Sequence, residues 1–200
     1  MAKKIKDGFL FYHITAINNL PTIFTNGLCS RHYINKTNFQ KINIARDDII
    51  QKRKELEILN YVPFHFFEPT AFAGVIFKDN PGITFCTITI KRSLAKDKNF
   101  KICTAHPLSL DPIAEILPYN EGINAINWEK MEERNYNDDV SKNVCMAECL
   151  ATSPVLPKDF HTIFVPDENT KYKVEQLAKK IIGAYTFNVT VNNTISGIYK

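Results

Sequence analysis

The sequence predicts an α+β fold with a mostly antiparallel sheet, and two observations lead to this class. Short apolar runs with the spacing of strands outnumber runs with the spacing of helices. Few of the predicted strands are separated by a helix long enough for a parallel crossover connection. The chain has 200 residues, of which 44% are hydrophobic, and no linker rich in Ser, Gly or Pro divides it. We therefore predict a single domain over residues 1–200.

The first half of the chain alternates predicted strands and helices. A strand over residues 8–14 leads into a helix over residues 19–26, with Asn18 or Asn19 as its cap and Gly27 as its end. Residues 29–44 have little periodicity and predict a long irregular loop. The next predicted elements are a helix over residues 47–59, a strand over 61–67, a brief helix over 70–77, and strands over 83–90 and 100–105.

The second half is irregular at first and then regular. Residues 106–143 contain several prolines and one possible helix at residues 125–133, and an irregular segment of this length is expected to close over a site. A strand over residues 160–165 follows. Residues 168–182 form the clearest helical pattern, with apolar residues at helical spacing and Gly183 as the stop. A final strand is predicted over residues 185–191.

Composition and charge exclude several classes of protein. No apolar run approaches the roughly 20 residues that a membrane-spanning helix needs, and the N-terminus has no secretory pattern, so we expect a cytoplasmic protein without membrane contact. The five cysteines are widely scattered and form no CxxC motif, so neither a disulfide framework nor a zinc site is predicted, and no metal is expected. The chain also lacks GxGxxG, GxxxxGK[ST], HExxH and GxSxG motifs.

A basic stretch suggests a polyanionic partner. The net charge is +4, and seven Lys or Arg residues lie between Arg31 and Lys54 with His32, Tyr33 and Phe39 among them. Cations attract phosphates, and aromatic rings stack with unpaired bases, so the pattern suits single-stranded nucleic acid. A solvated basic face is the competing interpretation.

Four polar residues at three places in the sequence are candidates for chemistry. His13 and Thr15 come where the first apolar strand runs out, Arg53 lies on the basic helix, and Glu148 is the one charge in the apolar run 144–151. Each has a plainer interpretation, since a histidine at a strand end is often structural and the glutamate can face outward from a half-buried strand. Together they suit the cleavage of a glycosidic bond, in which a glutamate steadies positive charge on the sugar.

Four blocks of the sequence resemble the DarT family, the DNA ADP-ribosyltransferase toxins of bacterial DarT–DarG toxin–antitoxin systems. They occur in the family's order and spread over most of the chain. The blocks are residues 12–28 (YHITAINNLPTIFTNGL), 44–53 (IARDDIIQKR), 61–66 (YVPFHF) and 146–150 (MAECL).

The resemblance implies an ADP-ribosyltransferase-like split sheet that binds NAD and transfers ADP-ribose to a base of single-stranded DNA. It implies catalytic roles for Glu148 and Arg53, and a substrate-facing loop over residues 108–143. A DarG-type macrodomain antitoxin is the implied partner, and we expect a monomer. The implied NAD-binding residues are His13, Ile14, Thr15, Thr22, Ser30 and Arg53. The residues expected to bind DNA are Arg31, Lys36, Lys41 and His65.

The third block departs from the family pattern. Family members continue Val-Pro-Phe-Tyr-Phe and then Arg-Ser-Pro-Met, whereas this chain has His65 in place of the tyrosine and Glu68-Pro69-Thr70-Ala71-Phe72 where the second motif is expected. The target base, thymine or guanine, therefore stays open. Two other functions also stay open, namely an NAD hydrolase of the same fold and a non-catalytic nucleic-acid-binding module.

Overall fold

The structure is a computed structural model that describes residues 4–37 and 47–192. These residues form a sheet of eight strands with the order β5-β4-β6-β2-β1-β3-β7-β8. The strands are β1 (Leu10–Ala16), β2 (Val62–His65), β3 (Phe85–Lys91), β4 (Lys101–Cys103), β5 (Ile116–Pro118), β6 (Glu148–Ala151), β7 (Thr162–Val165) and β8 (Asn188–Val191). Neighbouring strands are antiparallel except β7 and β8, so the predicted class is confirmed.

Helices pack on both faces of this sheet. They are α1 (Leu20–Asn26), α2 (Arg31–Thr37), α3 (Asp47–Glu55), α4 (Ala71–Asp79), α5 (Arg92–Asp97), α6 (Tyr119–Ala125), α7 (Trp128–Glu133), α8 (Asp139–Cys145) and α9 (Glu168–Ile182). The larger core contains Phe11, Phe64 and Ile88, whose side chains share one face of the sheet because strand residues alternate. A smaller core on the other face joins α4 to Ile14 and Phe85.

The sheet is split along β1. On one side, β1 and β3 pair through seven consecutive residue pairs. On the other side, within the described residues, β1 and β2 pair at Tyr12 and His65 alone. Because β1 and β2 diverge beyond this pair, the sheet opens beside the second half of β1. The split sheet that the resemblance implied is therefore present.

The long helix α9 was predicted to the residue, because its signals are local. Asp167 accepts a hydrogen bond from the backbone N–H of Thr170 (2.7 Å), and Gly183 ends the helix with φ 77°. Val174 and Ala178 are buried, as their spacing predicts. Tyr172, two residues before Val174 on the same helix, is 62% exposed.

The predicted cap of α1 is wrong. Asn19 does occupy the N-cap position, but its side chain makes no capping bond. Its Nδ2 instead donates to Oγ1 of Thr15 (3.2 Å), because the buried hydroxyl at the end of β1 lies within reach. Pro21 in the first turn and Gly27 at the end, with φ 82°, agree with the sequence prediction.

Two segments predicted to be irregular are helical. Residues 31–37 form α2, and at its start the Oγ of Ser30 accepts a hydrogen bond from the backbone N–H of Tyr33 (3.3 Å). Residues 38–44 of the same predicted loop lie outside the described residues. Residues 106–143 contain β5, α6, α7 and most of α8. Asn127 and Asp138 cap α7 and α8, and Met131 is fully buried, so short helices with local caps pack onto the core here.

Two expectations from composition concern membranes and thiols. In the described part of the chain, no helix is both long enough and apolar enough to cross a membrane. All five cysteines are buried, and none of them forms a disulfide bond. Burial, reinforced by the charge of Glu148, raises the pKa of Cys103 to about 12, so this thiol is a poor nucleophile.

Candidate active site

A cavity of about 170 Å³ lies where β1 and β2 separate. Its walls come from the second half of β1, the start of α2, helix α3, strand β2 and the first residue of β6. The lining residues are His13, Ile14, Thr15, Cys29, Ser30, Arg31, Ile50, Arg53, Ile58, Leu59, Tyr61, Val62, Pro63, His65, His106, Met146 and Glu148. Segments that are far apart in sequence therefore meet at the split.

Glu148 is the acidic centre of this cavity. It is the first residue of β6, stands opposite His65 of β2 and Cys103 of β4, and is 5% exposed. Both carboxylate oxygens are held by the guanidinium of Arg53, with Nη1 to Oε1 and Nη2 to Oε2 each 3.0 Å. A buried carboxylate is costly without an opposite charge, and the two-point pair supplies one. The interpretation of Glu148 as an outward-facing strand residue is therefore wrong.

His13 bridges the two sides of the split. Its Nδ1 lies 2.7 Å from the carbonyl oxygen of Pro63, and because a carbonyl can only accept, Nδ1–H is the donor. The ring is tilted against Phe64, with ring centroids 5.5 Å apart. These two contacts fix the orientation of the imidazole at the cavity wall. His13 therefore has a fixed position in the cavity wall, and it lies within β1 rather than at its end.

Two further histidines line the cavity. His65 is buried between Tyr12 and Glu148 in the strand register, and burial lowers its pKa, an effect that the charge of Glu148 partly opposes. His106 follows β4, and its Nδ1 accepts a hydrogen bond from the backbone N–H of Leu108 (3.3 Å). The sequence analysis did not single out His106, and the available signal was a histidine directly after an apolar strand, in Thr104-Ala105-His106-Pro107.

The charged lining of the cavity is cationic overall. Arg31 and Arg53 contribute two guanidinium groups against the single carboxylate of Glu148, among the residues that line it. Burial lowers the pKa of Arg31, and the positive charge of Arg53 lowers it further. Since arginine stays protonated at neutral pH, the cavity attracts anions such as a pyrophosphate.

The structure brings together most of the residues that the sequence predicted for the site. Thr22 is not among the lining residues and lies on α1, and Lys36 is exposed in the last turn of α2. Lys41 lies outside the described residues. No metal-binding group of three or more His, Cys, Asp or Glu side chains occurs in the described ranges. The predicted residues that line the cavity are His13, Ile14, Thr15, Ser30, Arg31, Arg53, His65 and Glu148.

The split sheet, its cationic cavity and the buried glutamate define the class of protein, an NAD-dependent ADP-ribosyltransferase. A family model described as "ssDNA thymidine ADP-ribosyltransferase, DarT" matches residues 12–195. The chain therefore belongs to the DarT family. A search of curated protein sequences found no significant match.

Solved DarT structures share the fold at low sequence identity. DarT of Thermus sp. 2.9 in complex with ADP-ribosylated ssDNA is 17% identical with a TM-score of 0.82, over 98% of this chain and 99% of that one. The same protein in complex with carba-NAD+ gives a TM-score of 0.76 at 17% identity, over 94% and 97% of the chains. DarTG of Thermosipho africanus in complex with ADP-ribose is 21% identical with a TM-score of 0.71, over 94% of this chain and 51% of that one.

Proposed function

We propose that this chain transfers ADP-ribose from NAD to a thymine base of single-stranded DNA. The observation that carries the proposal is the buried pair of Glu148 and Arg53, which lies at the open seam of the sheet beside His13. The family description names thymidine, and solved DarT structures of Thermus sp. 2.9 contain carba-NAD+ and ADP-ribosylated ssDNA. These three facts support the activity and the choice of base.

The residues that line the cavity fit NAD. NAD supplies an ADP-ribose group whose bond to nicotinamide is already weakened by the positive charge of the pyridinium ring. The guanidinium of Arg31 suits the pyrophosphate, and the fixed ring of His13 suits the nicotinamide end, with Thr15 beside it. Thr22 does not line the cavity, so we propose no direct contact for it.

Glu148 acts on the reacting sugar. Its carboxylate is aimed into the cavity and stabilises the positive charge that develops on the ribose as nicotinamide leaves with the bonding electrons. A nitrogen of the target base forms the new bond and loses one proton, so the products are nicotinamide, the modified base and H+. This interaction is stronger in the transition state than in the bound substrate, so it raises kcat more than it tightens NAD binding.

Arg53 orients Glu148. Its two donors fix both carboxylate oxygens, and a guanidinium group is a poor proton acceptor because it has no free lone pair to offer at neutral pH. We assign it to holding the carboxylate and to stabilising a base that is losing its proton.

The DNA strand runs outside the cavity. Arg31 and Lys36 of α2 offer cations to its phosphates, and His65 stands beside Glu148 where the target base must come. Lys41 stays a prediction for the same surface. We also propose a cytoplasmic monomer with a DarG-type antitoxin as its partner, and the support for that partner is the match to half of the DarTG chain.

Mass spectrometry of DNA tests the function directly. We expect a mixed-sequence single-stranded oligonucleotide, incubated with the protein and NAD, to gain the mass of one ADP-ribose on thymine. Glu148→Gln should lower turnover by about 100-fold or more while the Kd for NAD changes little. Glu168→Gln, an exposed carboxylate in the first turn of α9, is the matched control and should keep full activity.

Three results would contradict the proposal. Release of nicotinamide without any modified oligonucleotide would support an NAD hydrolase. Binding of the oligonucleotide with no turnover of NAD would support a binding module. Wild-type activity in Glu148→Gln would remove Glu148 from the catalytic role.

A further inference from the structure

Strands β4 and β5 have one covered face and one open face. Helix α6 packs closely on the covered face, because a Cβ atom added to Gly122 would lie 2.4 Å from the Cβ of Ile102. Strand residues alternate between faces, so Lys101 points to the other face. On that face, Pro118 of β5 stands opposite Lys101, and Ile116 lies two residues from Pro118. Both β5 residues are exposed, so this face is open at its β5 edge.

The open face continues toward Glu148. Cys103 stands opposite Glu148 of β6 on one side and opposite Ile116 of β5 on the other, so these side chains share a face. Lys101 precedes Cys103 by two residues on β4. One strand spacing and two residues separate Lys101 from Glu148, which is roughly 8 Å between Cα atoms. A chain bound along this face therefore passes close to the catalytic carboxylate.

Tyr61 holds Lys101 at the rim of the NAD cavity. The Nζ of Lys101 donates a hydrogen bond to the hydroxyl of Tyr61 (3.3 Å) and lies 5.5 Å from the centroid of the tyrosine ring. Tyr61 is among the residues that line the cavity, whereas Lys101 is not. The ammonium group is therefore placed outside the cavity, with Tyr61 between the two.

The positive charge of Lys101 has no acidic partner in the described part of the chain. Lys98 and Lys130 pair there with carboxylates at 2.7 and 3.0 Å, whereas Lys101 forms no such ion pair. The hydroxyl of Tyr61 accepts one of the three N–H groups of the ammonium but carries no charge, so the cation is not neutralised. A cation in this setting suits a phosphate.

The position of Lys101 suits a phosphate of DNA better than the pyrophosphate of NAD. Arg31 lies inside the cavity and suits the pyrophosphate, whereas Lys101 lies outside it. A phosphate outside the cavity belongs to a substrate that extends beyond the reacting base, as single-stranded DNA does. The exposed apolar side chains of Ile116 and Pro118 suit the sugars and unstacked bases of such a strand.

We propose that Lys101 binds a backbone phosphate of the DNA next to the target base, with the strand lying along the open face of β4 and β5. Tyr61 holds the ammonium group in place, and the phosphate accepts its other N–H groups. The inference rests on the proposed function, because this DNA is the substrate of the same transfer reaction.

The salt dependence of DNA binding tests this contact. Each neutralised phosphate of single-stranded DNA contributes about 0.7 to the slope of log Kd against the logarithm of the salt concentration. Lys101→Met keeps the length of the side chain and removes the charge. It should therefore reduce the slope by about 0.7 and raise the Kd for an oligonucleotide about 3-fold at low salt. Fluorescence anisotropy without NAD measures both values, and the Kd for NAD should not change.

Two variants are controls for the loss of charge. Lys101→Arg keeps a cation at the same position and should keep the wild-type slope. Lys179→Met removes an exposed lysine from the last turn of α9, which packs beside β7 and β8 at the other edge of the sheet, and should also keep it. If Lys101→Met does not fold, Lys101→Gln removes the same charge and gives the same test.

Oligonucleotides with the target thymine at one end locate the contact. One carries its remaining nucleotides upstream of the thymine, and the other carries them downstream. A single ammonium group next to the target base contacts one side of the strand, so Lys101→Met should weaken the binding of one oligonucleotide and leave the other unchanged. Equal weakening of both would overturn the contact, because it would show a general loss of electrostatic attraction.

The remaining outcomes separate this contact from the transfer activity. A wild-type salt slope in Lys101→Met overturns the contact. A higher Kd for NAD with an unchanged slope also overturns it, because Lys101 would then serve NAD. A reduced slope in Lys101→Met, together with wild-type protein that transfers no ADP-ribose to DNA, would support the contact and overturn the proposed function.

Discussion

The two edges of β1 are built in opposite ways. Toward β3 the strand has a continuous backbone ladder of seven residue pairs, whereas toward β2 it has one pair, Tyr12 with His65, in the described residues. A sheet that omits a ladder must satisfy its carbonyl groups by other means, since a buried unpaired carbonyl costs about 1–3 kcal/mol. At the open seam, side chains take over this task.

Two side chains bridge β1 and the β2 segment, one at each end of the split. On the cavity side, Nδ1–H of His13 donates to the carbonyl of Pro63. On the opposite side, the guanidinium of Arg92 donates to the carbonyl oxygens of Leu10 (3.2 Å), Phe66 (2.8 Å) and Lys6 (3.0 Å). The split is therefore closed at one end, where Arg92 binds the carbonyls of Leu10 and Phe66, and it is a cavity at the other end, where His13 binds the carbonyl of Pro63.

Loss of Arg92 should have the largest effect on this arrangement. The guanidinium packs over the rings of Phe11 and Phe66, at 5.1 and 5.2 Å, and is 8% exposed. Arg92→Met leaves the carbonyls on both sides of the seam without their donor, and we expect a loss of about 3–5 kcal/mol in the free energy of unfolding. Urea denaturation measures it. Lys91→Met, an exposed neighbour, should change stability by less than about 0.5 kcal/mol, and a similarly small change in Arg92→Met would refute its role at the seam.

Substitutions of Arg53 test the cavity end of the split. Arg53→Ala leaves Glu148 buried without its cation, and we expect turnover to fall by about 100-fold or more. Arg53→Lys keeps the charge but loses the two-point contact, so its activity should be measurable and lie between that of the wild-type protein and that of Arg53→Ala. Kinetics with oligonucleotide and NAD, together with the Kd for NAD, measure both variants. Lys173→Ala, on the exposed side of α9, is the control and should keep full activity.

The alternative role of Arg53 is that of the group that takes the proton from the base. A lysine with an ordinary pKa near 10.4 stays protonated at pH 7 and cannot do this. Equal inactivity of Arg53→Lys and Arg53→Ala, with unchanged affinity for NAD, would therefore favour the proton acceptor over the charge role.

His65 should give the smallest effect, through pH. Burial lowers its pKa in the folded protein, so below the ordinary histidine pKa of about 6.5 the unfolded chain binds a proton that the folded protein does not. Stability then falls as the pH falls below about 6.5, by at most about 1.4 kcal/mol per pH unit, and the charge of Glu148 partly opposes this effect.

The measurement is the urea midpoint at several pH values. His65→Gln should flatten the acid side of the profile relative to wild type. His32→Gln, an exposed histidine on α2, should leave the profile unchanged. An identical acid slope in wild type and His65→Gln would show that His65 takes up its proton equally in both states.

The sequence determined the elements whose signals are local. Helix α9 was predicted with its true bounds because Asp167, Gly183 and the apolar spacing all lie within the helix or next to it. The candidate residues His13, Arg53 and Glu148 were recognisable too, since each is a polar group in a distinctive setting. The family blocks added their roles. Where local signals were weak, as in residues 31–37 and in most of residues 106–143, short helices were mistaken for irregular chain. The helix predicted at residues 125–133 is present as α7.

Tertiary structure alone decided how these residues meet. Arg53 and Glu148 are 95 residues apart in sequence, and His13 and Pro63 are 50 apart, so no local pattern reports either contact. In the sequence, nothing distinguishes Arg92 from the cations of the surface. It is buried because β1 and β2 lack a continuous ladder, and its guanidinium donates to carbonyls on both sides of the split. Periodicity indicates which face of an element is apolar. The pairing of strands that are distant in sequence depends on the packing of the whole sheet, and that pairing forms the site.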